Sequence, residues 1–168
     1  MEALPRGAGD FHVYVIDDVE SWASPNLLQK GVHVNYGRIA LAILGATVAY
    51  FAFGFLLFAA LPGMKSEFMK YPNVYRAQDR MMKVMPYGMF AILVSIVVVA
   101  VLYARMFSGG GIASGAWLGV LIGIFSVCTF VIHNYVNLNI GLKLTLYQGI
   151  AYFIQWVVVG VTIGLIYR

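Results

Sequence analysis

The sequence predicts an all-α polytopic membrane protein: four transmembrane helices in an up-down bundle, with a short amphipathic surface helix in the first loop. Three observations predict it. The 168 residues are 61% hydrophobic and 11% charged, against about 45–50% and about 25% in soluble domains. A soluble chain this short cannot hide so much apolar surface. The charges leave four long gaps, at residues 39–64, 84–104, 106–142 and 144–167, and each holds the roughly 20 apolar residues that cross a bilayer. Runs such as Ala91 to Leu102 show none of the apolar–polar alternation of a barrel strand. The composition excludes a soluble enzyme, a disordered tail and a disulfide-stapled secreted domain.

The elements follow in order. Residues 1–36 form a polar tail in which Glu2, Asp10, Asp17, Asp18 and Glu20 outnumber Arg6 and Lys30. No apolar signal-peptide core is visible there, so the first span is expected to act as an uncleaved signal-anchor. Within the tail, Phe11 to Ile16 is β-prone and reads as a strand that needs a partner. The transmembrane domain covers residues 37–168, and its first span is placed at Ile39–Leu61, before the breakers Pro62 and Gly63. In the first loop, residues 62–85, Asn73 is a candidate N-cap. From Val74 to Met85 it mixes Val74, Met81, Met82 and Met85 with Arg76, Arg80 and Lys83, as a basic helix lying on a membrane surface does.

The second span is expected at Pro86–Phe107, with Pro86 in its first turn, where a missing N–H costs nothing. The triplet Gly109-Gly110-Gly111 makes a short join to the third span, Ile112–Asn134, so the second and third spans are expected as antiparallel neighbours. The fourth span is expected at Leu144–Tyr167. Cys128, the single cysteine, lies mid-span and reads as a small buried hydrophobe.

Charge sets an expected orientation in an inner or cell membrane. Lys65, Lys70, Arg76, Arg80 and Lys83 crowd one short loop, and such loops stay cytoplasmic. The loops 62–85 and 135–143 are therefore expected in the cytoplasm, with both termini outside. The pI of about 9.2 comes from these topology-setting residues and implies no nucleic-acid partner.

Candidate functional residues concentrate in the last hairpin. Ser126, Thr129, His133 and Asn137 fall on one helical face of the third span, and Gln148, Tyr152, Gln155 and Thr162 on one face of the fourth. With the turn centred between Ile140 and Gly141, His133 is expected opposite Gln148, Ser126 opposite Gln155, and Gly119 opposite Thr162. Polar groups in hydrocarbon need partners, so the two stripes are expected to bond across the helices and fix their register. An ionisable group near a span is also a site hypothesis in its own right. That leaves two sharper readings of His133: part of a polar path through the membrane, or an axial ligand to haem or a chlorophyll-type cofactor. No cofactor is required by the sequence, and no metal site is expected.

Gly115, Gly119 and Gly123 form one small-residue ridge, and Gly160 and Gly164 another. Such ridges let helix backbones approach closely. Tyr36, Tyr87, Tyr103, Trp117, Tyr135, Tyr147 and Tyr167 cluster near span ends as an interfacial aromatic belt. Phosphate-binding Gly-Lys-Ser/Thr loops, His-Glu-x-x-His pairs, paired cysteines and Gly-x-Ser-x-Gly elbows do not occur in the sequence. No carboxylate lies inside a span, which speaks against an ion-coupled pump.

The runs Val74-Tyr75-Arg76, Gly119-Val120-Leu121-Ile122-Gly123 and Gly160 to Arg168 resemble small bacterial four-span membrane proteins of unknown function. The resemblance covers roughly residues 37–168; the acidic tail departs from it. It implies the four-helix architecture and brings no activity or catalytic residues. The functional expectation is a non-enzymatic accessory or scaffold subunit of a larger membrane complex, in contact with lipid and with other membrane subunits. The alternatives are a small transporter or channel along the polar stripes, and a cofactor-binding subunit through His133.

Overall fold

A computed structural model describes residues 34–167, apart from Pro62 and Ser108. The strand expected at residues 11–16 lies outside the described residues. The elements are α1 (Tyr36–Ala60), α2 (Met64–Met69), α3 (Gln78–Met106), α4 (Gly111–Ser126), a π-helical turn (Val127–Ile132), α5 (His133–Asn137) and α6 (Leu142–Ile166). No strand occurs among the described residues. Four stretches there are long and apolar enough to cross a membrane: Tyr36–Ala60, Asp79–Met106, Gly111–Asn137 and Leu142–Ile166. At 1.5 Å per residue each reaches roughly 37 Å or more, beyond the roughly 30 Å hydrocarbon core.

Helix α1 begins where the Asn35 side chain accepts from the Arg38 N–H at 3.1 Å, satisfying a donor the helix itself cannot. It ends at the residue before Pro62, where the helical region is disfavoured. The first loop departs from expectation. Its own helix is α2, upstream of Asn73, and residues 71–77 are turn and extended backbone. The stretch expected as a separate surface helix instead belongs largely to α3, which starts at Gln78 and runs on through Pro86. Apolar continuity from Met81 onward carries the helix over the proline. Pro86 therefore sits inside the helix and removes the bond that the Met82 carbonyl oxygen would accept.

The hub of the bundle is α6. It packs along α4 on one side and α1 on the other, and α3 packs chiefly on α1. The expected neighbour pairing of the second and third spans is therefore corrected: they meet at their junction, where the Tyr103 hydroxyl donates to the Gly111 carbonyl oxygen at 2.7 Å. Positive φ at Gly109 (85°) and Gly111 (63°) lets the chain turn away there, since glycine alone takes that conformation freely.

The core joins Ala42, Ala46 and Tyr50 of α1, Ile96, Ala100 and Tyr103 of α3, and Trp156, Val159 and Ile163 of α6. Beside it, Tyr167 closes one end of the bundle: its hydroxyl accepts from the Asn35 N–H at 3.2 Å, and its ring meets Tyr103 edge-on. Cys128 is exposed on the helix surface, not buried as expected.

Candidate functional site

The two glycine ridges meet. A Cβ on Gly115 would collide with the Gly160 carbonyl oxygen, and one on Gly119 would lie 2.7 Å from the Trp156 carbonyl oxygen. One on Gly123 would lie 2.9 Å from the Phe153 ring, and one on Gly164 would strike the Gly111 carbonyl oxygen. All five predicted packing glycines therefore bring two backbones into contact. The register differs from expectation: the Gly119 backbone lies against Trp156, Val157 and Gly160, short of the expected Thr162.

The polar stripes do not face one another. Thr129, His133 and Asn137 are exposed on the outer side of the third span. Thr129 donates to its own helix at the Phe125 carbonyl oxygen (2.7 Å), and Asn137 Nδ2 to that of His133 (2.8 Å). Thr162 likewise donates to the Val158 carbonyl oxygen at 2.8 Å, the i−4 back-bonding open to hydroxyls in helices. The reason is the π turn at 127–132. Its i→i+5 bonding inserts an extra residue, which sets the helical phase back by about 100°. Ser126, before it, stays half-buried on the bundle side, while His133 and Asn137, after it, swing outward.

The interior polar groups of α6 find partners elsewhere. Gln155 Nε2 donates to the Tyr50 carbonyl oxygen of α1 at 3.2 Å. It reaches that atom because Gly54 has no side chain; a Cβ there would collide with the amide. Gln148 Nε2 donates to the Tyr75 hydroxyl of the first loop at 3.2 Å, while its Oε1 is buried without a partner.

A second cluster, absent from the sequence reading, ties the first loop to the start of α6. The Glu67 side chain is only 5% exposed and pairs with Lys70 Nζ at 2.7 Å and Lys143 Nζ at 3.2 Å. The Lys70 hydrogen bond holds the Glu67 carboxyl below the usual carboxylate range, against the opposing effect of burial, with Lys143 acting the same way. Lys70 is raised in turn by Glu67. Nearby, the Gly141 N–H donates to the Tyr71 hydroxyl at 2.9 Å, and Phe68 packs on Tyr75 with ring centres 4.9 Å apart. The Glu67–Lys70 spacing of three was visible in the sequence; the link to Lys143 and the tyrosine hydroxyls was not.

Between α3 and the rest of the bundle lies an open cleft of about 640 Å³. Its walls include Met85 and Met89 of α3, Tyr50 of α1, Phe130 of the π turn, and Tyr152 and Trp156 of α6, with Ser126 at its edge. Phe130 and Tyr152 meet edge-on at 5.2 Å. Of the basic residues read as surface-facing, Lys65, Arg76, Arg80 and Lys83 are exposed and make no ion pair among the described residues, whereas Lys70 is engaged by Glu67.

Compared with known proteins, the chain matches no family model, no curated protein and no solved structure.

Proposed function

We propose that the protein is a non-enzymatic accessory or scaffold subunit that docks other membrane subunits along the outer face of its third span. The observation that carries this reading is the outward turn of His133 beside Thr129 and Asn137. Thr129 and Asn137 bond their own helix, whereas the imidazole has no partner among the described residues. A polar group on the outside of a span is best met by another helix. The geometry favours this over a transport path, because the expected stripe divides three ways: His133 outward, Gln148 to the first loop, Gln155 to α1. The orientation proposed with it places the Glu67–Lys143 side of the bundle in the cytoplasm, on the strength of its concentrated lysines and arginines.

The test is gentle purification from native membranes with mass spectrometry and an absorption spectrum. The wild type is expected to co-purify with other subunits that His133→Leu releases. A stable lone monomer overturns the proposal. Visible absorbance lost in His133→Ala establishes a haem or chlorophyll-type subunit instead, and substrate flux lost in that variant establishes a transporter. A fusion reporter after residue 168 is expected on the outer side.

A further inference from the structure

The cleft beside α3 contrasts with the closed contact of α4 and α6. From Ile96 onward α3 is closed onto its neighbours, with Ile96, Val99, Ala100, Tyr103 and Ala104 buried. None of residues 79–95 is buried. Gly88 sits on this open wall, and a Cβ there would meet nothing within 4 Å. Its missing side chain thus serves no packing within the chain and leaves the cleft wider. The volume lies in the range of about 300–1,000 Å³ usual for small-molecule sites.

The cleft's length argues for its occupant. It runs from Met81 to Ser95, roughly 21 Å along the helix, and stops where α3 closes at Ile96. A partner helix crossing the membrane needs a groove along the full roughly 30 Å. An acyl chain from one leaflet needs about half of that. Methionine side chains suit a flexible apolar guest, since they repack around irregular shapes. Charge at the mouth completes the argument. Arg80 stands one helical turn before the cleft residue Val84 and adjoins Met81, at the flank of the lining face, whereas Lys83 falls on the opposite side of the helix. Arg80 makes no ion pair among the described residues, and a long basic side chain reaches the headgroup layer while its stem lies along apolar surface.

We propose that this cleft is a lateral lipid site, which takes one acyl chain of an anionic glycerolipid from the bilayer while Arg80 holds its phosphate. The site is independent of the docking face on the third span.

The test uses the purified full chain in detergent, offered phosphatidylglycerol or phosphatidylcholine of identical acyl chains and read by native mass spectrometry. One phosphatidylglycerol is expected to stay bound in preference to phosphatidylcholine. Gly88→Phe fills the cleft from its open wall and is expected to abolish retention of both lipids at unchanged thermal stability. Arg80→Gln is expected to leave chain binding intact and weaken the anionic lipid by about fivefold, whereas Lys83→Gln, on the far side of the helix, is expected to change neither. Equal retention of the two lipids by the wild type, or retention unaffected by Gly88→Phe, overturns the proposal. So does a wild-type spectrum of dimers, or of a co-purified protein, that Gly88→Phe dissociates without any bound lipid. A Gly88→Phe chain that fails to fold leaves the arginine and lysine variants to decide between the outcomes.

Discussion

The α4–α6 pair and the α3 flank use glycine in opposite ways. Along α4 and α6, glycines remove side chains so that backbone meets backbone. On α3, Gly88 removes a side chain that would have met nothing, and no residue from 79 to 95 is fully buried. The lesson is that a glycine in a span has no fixed meaning: the partner across from it decides whether it tightens a contact or opens a space.

Substitutions can break or sharpen this contrast. The largest effect is expected at Gly115→Val, whose branched side chain must displace the Gly160 backbone. Overpacking of this kind costs about 3 kcal/mol, and denaturant unfolding of the solubilised protein should show it. Gln155→Ala is expected next, at about 1–2 kcal/mol, from the lost bond to Tyr50 and the void beside Gly54; the same assay reads it. A smaller effect belongs to Glu67. Its folded carboxyl titrates below the unfolded value, so its contribution is complete above that value and disappears as pH falls through the folded one. Wild type should therefore lose stability on acidification below about pH 4 in a way that Glu67→Gln does not, as thermal scans across pH would show. Smallest, and of opposite sign, is Gly88→Ala. With open space around the new methyl, it is expected to stabilise α3 by about 0.5–1 kcal/mol. A loss of stability there would erase the contrast between the two regions.

The architecture was legible because charge is excluded from hydrocarbon: the positions of Arg38, Lys65, Lys83, Arg105 and Lys143 bracket the spans to within a few residues. The glycine ridges were legible for a similar reason, since spacing of four in an apolar helix admits few uses. Two things were not. The π turn shifts the phase of the third span, and the 3.6 period carries no trace of it, so His133 and Asn137 were assigned to the wrong face. Pro86 read as a helix start because its local cost is least there, yet the apolar run on both sides outweighs that cost. The partners of Glu67 and Gln148 lie far along the chain, and no local pattern announces them.

The hub position of α6 has a consequence for synthesis. The helix on which α1 and α4 both depend is the last of the four to leave the ribosome. Asn35 waits for Tyr167 across 132 residues, and Tyr50 for Gln155 across 105. The glycine face of α4 and the Tyr50 carbonyl oxygen of α1 thus stay open to lipid until α6 arrives. A nascent chain stalled before Leu142 would hold α1 and α3 able to pair, and α4 without the helix it packs on.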